Sequence, residues 1–115
     1  MKHLLYIALL ITLLSCSKKA DLDKVCNVND PLTELPWLAQ IVSNAEADSI
    51  YLKITKVILK EKKTRKKLDG FIVSIGDASI YYNCVGEQIC VAGGDSGAPC
   101  ETYKTLKEKT IYQNY

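Results

Sequence analysis

Histidine is nearly missing from this chain of 115 residues: His3 is the single one. Nothing beyond it offers an imidazole base or an imidazole metal ligand, so a Ser-His-Asp hydrolase and a histidine zinc site both lose a principal member. The five cysteines include no Cys-x-x-Cys pair, which argues against a thioredoxin-like redox centre. Charge of one sign is not in excess. The net is +2, and so weak a field gives no global reason to seek nucleic acid. Long hydrophobic runs are lacking too: the stretch Leu4–Leu14 covers only about half of the ~20 residues that a membrane-crossing helix needs. There is no internal repeat, no low-complexity tract and no cluster of carboxylates.

That short apolar stretch is nevertheless informative. Lys2 and His3 precede it, and Leu13-Leu14-Ser15-Cys16 closes it. A basic head, a brief apolar run and a small residue before a cysteine resemble a bacterial lipoprotein signal. The resemblance implies removal of residues 1–15, with Cys16 acylated (palmitate among its chains) as the first mature residue. Rival readings are a plain secretory peptide and an uncleaved anchor. Three acyl chains would exceed the two-signal threshold for stable attachment. Residues 16–25 then read as lipidated cysteine and polar tether, and residues 26–115 as one small domain.

Loss of Lys2 with the signal leaves a mature chain of net charge +1. A domain this small buries a modest core and often needs covalent staples. Cys26, Cys84, Cys90 and Cys100 form an even set in an oxidising compartment, so two disulfides are expected, each worth about 2–4 kcal/mol. Four cysteines permit three pairings, and the sequence does not choose among them. Ligand spacing gives no metal site, and no cofactor is expected.

Along the mature chain, Asp30-Pro31-Leu32-Thr33-Glu34-Leu35-Pro36-Trp37 reads as a helix entry, with Thr33 as cap and Leu35, Leu38, Ile41 and Val42 as the apolar stripe of a helix over 33–46. Trp37 reads as core, with a ligand platform as the alternative. Ile50, Leu52 and Ile54 alternate as in a strand, and Val57 and Leu59 resume one residue out of step, which predicts a bulge near Thr55-Lys56. Further strands follow at 71–75, 79–83 and 88–92, a helical turn at 103–106 and a short strand at 110–112. The expected fold is α+β: one N-terminal helix packed on a four- to five-stranded antiparallel sheet, stapled by disulfides.

Four features bear on function. Gly94-Asp95-Ser96-Gly97-Ala98-Pro99 resembles the nucleophile segment of trypsin-like serine proteases, but no histidine remains to activate Ser96, and Pro99 stands where a Ser-x-x-Lys base would be. It reads as a turn, and no enzyme activity is expected. Lys60, Lys62, Lys63, Arg65, Lys66 and Lys67 crowd one connection: either a solvated hairpin tip that discourages edge pairing, or a contact for anionic lipid or polysaccharide. Asp48-Ser49-Ile50 resembles the O-glycosylation acceptor of exported Bacteroidota proteins at Ser49, with a helix-to-strand turn as the plainer reading. Six tyrosines of the mature chain can line a carbohydrate- or partner-binding face, or simply fill strands.

Asn29-Asp30-Pro31-Leu32 running into Leu35-Pro36-Trp37-Leu38, then Tyr82-Asn83-Cys84, Ile89-Cys90, Gly93-Gly94 and Pro99-Cys100, resemble small Bacteroidota lipoproteins of a family without an assigned function. The long basic connection and Glu101 after Cys100 depart from that pattern. The resemblance implies no catalytic residues. Many surface lipoproteins of that phylum carry acidic residues after the lipidated cysteine. Here Ser17-Lys18-Lys19 follows, which favours an outer-membrane tether facing the periplasm over surface exposure. The functional expectation is a membrane-tethered binding or interaction module of the cell envelope, its partner an envelope protein or glycan. A small envelope hydrolase and a structural accessory subunit are the alternatives.

Overall fold

The computed structural model describes residues 22–93 and 100–115. Cys16, the tether as far as residue 21 and the Gly94–Pro99 segment lie outside them. A 3₁₀ segment (Leu22–Asn27) and two helices, α1 (Pro31–Glu34) and α2 (Pro36–Ala47), precede five strands. These are β1 (Lys53–Glu61), β2 (Lys67–Ile75), β3 (Ala78–Tyr82), β4 (Gln88–Gly93) and β5 (Tyr103–Gln113). Every pairing is antiparallel, in the order β4-β3-β2-β1-β5. The domain is α+β, as its sequence pattern implies.

The single expected helix is two. Proline disfavours helical backbone in the residue before it, and Leu35 is extended (φ −109°, ψ 101°). Pro36 then opens α2 at its first turn, where a missing N–H costs nothing. Thr33 is not the cap: its hydroxyl donates to the Asp30 carbonyl, and the Glu34 carboxylate accepts the Asp30 N–H at 2.6 Å. Ser49 ends α2 in left-handed backbone (φ 56°), with the Ile50 N–H reaching back to the Ala45 carbonyl.

Strand β1 is interior and carries apolar residues on both faces. Ile54 and Ile58 join Phe71, Val73, Val25, Leu38 and Ala45 in the main core under the helices. Val57 and Leu59 face the other way, with Ile72 and the half-buried Leu68, Tyr81, Ile89 and Tyr103. The out-of-step alternation at Thr55-Lys56 is therefore not a bulge in β1, whose register with β2 is unbroken. The breaks lie in β5, which skips Ile111 and Leu106 against β1. The expected helical turn at 103–106 is the first part of that same strand.

Both bridges form, as Cys26–Cys84 and Cys90–Cys100. The first fastens the 3₁₀ segment to the end of β3. Cys26 has left-handed backbone (φ 58°), and its N–H donates to the Asp69 carboxylate at 2.9 Å. Trp37 packs against Phe71 and Tyr82, and its indole N–H donates to the Cys84 carbonyl at 3.0 Å. It belongs to the margin of the core.

Candidate functional site

Partners in a ladder point to the same side of a sheet. The face away from the helices is therefore built from Lys53, Thr55 and Val57 of β1, Ile72 and Ser74 of β2, Ser79 and Tyr81 of β3, and Glu108 and Thr110 of β5. Its two halves differ. At the Leu59 end, Val57 and Leu59 are buried with Ile72 and packed by Leu68, Tyr81, Ile89 and Tyr103; Cys90, opposite Tyr81 in the Thr55 row, bonds Cys100. At the Lys53 end nothing described covers the strands, and an open groove of about 330 Å³ remains.

The groove is lined by side chains that hydrogen-bond. Thr55, Ser74, Ser79, Tyr81 and Thr110 present hydroxyls, Lys53 and Glu108 present opposite charges, and Lys109 also borders the groove. Ser74 and Ser79 are cross-strand partners with their hydroxyls 3.2 Å apart. Lys53 and the β1 partner of Glu108, Val57, are four residues apart, a separation of about 13 Å along a strand. The charges thus mark opposite ends. Burial, and then the nearby Glu108 carboxylate, push the Tyr81 phenol above its ordinary value of 10.0. Tyr81 therefore stays a hydrogen-bond donor through the physiological range.

Ser74 also belongs to an adjoining hollow with Tyr51, Gly76 and Tyr115. The two tyrosine rings tilt against each other at 6.1 Å and are 68% and 66% exposed. Together they form an aromatic rim at the polar end. The remaining tyrosines do not converge on it. Tyr82 and Tyr112 lie on the helix side, where the Tyr112 hydroxyl donates to Glu46 at 2.9 Å, and Tyr103 supports the smaller core.

The other singled-out residues stand apart from the groove. Ser49 is exposed in the turn after α2. Lys62, Lys63, Arg65 and Lys66 occupy the β1–β2 turn, whereas Lys60 and Lys67 are paired inside the ladder rather than in the connection. Among the described residues there is no group of three or more His, Cys, Asp or Glu able to hold a metal, and no helix long and apolar enough to cross a membrane. No local motif announces the groove, because its residues come from four strands and meet only through register. Compared with protein-family models, curated proteins and solved structures, the chain matches none.

Proposed function

We propose that this chain is a lipoprotein tethered through Cys16 to the bacterial envelope, on the periplasmic side of the outer membrane, and that its domain is a binding module for a glycan. The observation that carries the reading is the open groove in which five hydroxyl-bearing and three charged residues adjoin an exposed tyrosine pair. A sugar offers the matching chemistry: hydroxyls that both donate and accept, and apolar ring faces that rest on aromatics. The Cys26–Cys84 and Cys90–Cys100 bridges suit an oxidising compartment. The basic head and the residues before Cys16 suit export.

The test is calorimetric titration of the protein with neutral and acidic oligosaccharides released from envelope polysaccharide. Millimolar or tighter binding is expected. Tyr81→Phe and Ser79→Ala should each weaken it about fivefold, the worth of one hydrogen bond of ~1 kcal/mol. No heat and no chemical-shift change with any oligosaccharide overturns the glycan reading. Metabolic labelling with a palmitate analogue tests the anchor separately, since Cys16→Ala must abolish incorporation.

A further inference from the structure

Behind the β1–β2 turn, Lys60 is paired with Lys67 on one side and with Lys104 on the other. All three side chains project to the helix side, because Ile54 and Ile58 of the same strand do so. Like charges placed directly opposite destabilise a sheet, a repulsion that an anion lying over the row would offset. The turn ahead of it adds Lys62, Lys63, Arg65 and Lys66 and is not a loose loop. The Glu61 N–H bonds the Lys66 carbonyl, the Arg65 N–H bonds the Glu61 carbonyl, and the Lys62 N–H bonds the Thr102 carbonyl. Residues 60–67 carry six basic side chains and one acid, Glu61, and a further acid, Glu101, borders Lys62 and Lys63 in their shared hollow.

The helices leave this end of the sheet bare. The 3₁₀ segment crosses one row earlier, where Cys26 bonds Asp69, the partner of Ile58, and Cys26 and Asn27 border a shallow hollow with Lys67. The chain thus enters the fold beside the lysine row. Leu22 packs on the core of this face, and six residues of chain reach at most about 20 Å back to Cys16.

We propose that the lysine row and the basic turn form a second membrane contact, lying on anionic phospholipid headgroups and turning the grooved face toward the aqueous side. The proposal rests on the tether through Cys16 for its geometry and on the lysines for its chemistry. Each lysine at an anionic surface contributes about fivefold in partitioning at low salt, and the effect fades with ionic strength.

The experiment uses the lipidated full chain in vesicles of phosphatidylcholine alone and of phosphatidylcholine with phosphatidylglycerol, with lysine acylation read residue by residue by mass spectrometry. In the anionic vesicles Lys60, Lys62, Lys63, Lys66, Lys67 and Lys104 should react about fivefold more slowly, and high salt should restore them. Lys53, on the grooved face, should not change. Equal reactivity in both vesicles overturns the proposal, as does protection by a soluble anionic polysaccharide with none from anionic vesicles. Flotation of Cys16→Ala with neutral vesicles reads the anchor alone, so the two failures are distinguishable.

Discussion

The two disulfides should differ in worth, and the difference follows from where they sit. Cys26–Cys84 spans a sequence separation of 58 and Cys90–Cys100 one of 10. Loop-closure entropy in the unfolded chain then gives about 4 kcal/mol for the first and about 2.7 kcal/mol for the second. The structure widens the gap. The long-range bridge holds the 3₁₀ segment against the sheet, and with it Val25, which is 1% exposed. It also fixes the carbonyl that receives the Trp37 indole N–H. The assay is thermal unfolding by circular dichroism of the oxidised protein and of the double variants Cys26→Ala/Cys84→Ala and Cys90→Ala/Cys100→Ala. At ~4–8 °C per kcal/mol for a domain of this size, midpoints should fall by about 16–32 °C and about 11–22 °C respectively. Equal losses, or a larger loss from the short bridge, would refute the reasoning.

Two further outcomes are expected. Gly86 has a positive φ of 87°, and a Cβ there would lie 2.8 Å from the Trp37 ring; Gly86→Ala should cost about 2–3 kcal/mol and red-shift the fluorescence of this single tryptophan. Glu108→Gln removes one of the two causes that raise the Tyr81 pKa and leaves burial, so ultraviolet titration should show this phenol ionising at lower pH. Because the native phenol holds its proton where the unfolded one releases it, stability is intact below pH 10.0 and declines above it, and less steeply in the variant.

Elements were legible where a local rule governs them. Leu38, Ile41 and Val42 recur at helical spacing and all lie in α2, and the strands expected at 71–75 and 88–92 fall within β2 and β4. The N-terminal edge of α2 was not, since Pro36 overrides the capping signal of Thr33. Strand β1 was misread as bulged because it buries both faces, and a strand covered on both sides has no clean alternation. The error at β5 has the opposite cause. Lys104, Leu106 and Lys107 are exposed on an edge strand, so their sequence shows no apolar period, and pairing with β1 alone makes them a strand. The groove was illegible for a related reason: adjacent Tyr81 and Tyr82 enter opposite faces, and no sequence rule says which is which.

The irregularities of β5 decide where its charges go. Tyr112, Glu108 and Lys104 are all even-numbered, and an unbroken strand would put them on one face. By skipping Ile111, the strand sends Thr110 and Glu108 to the groove while Tyr112 stays under α2 beside Glu46. By skipping Leu106, it returns Lys104 to the helix side, opposite Lys60. Each bulge re-aims every side chain beyond it. The carboxylate at the end of the groove and the lysine of the basic row, four residues apart in one strand, thus face opposite directions because of one unpaired leucine. A hydroxyl-lined face and a cationic face on the same thin sheet therefore require this register, and the regular ladder between β1 and β2 leaves β5 as the strand that supplies it.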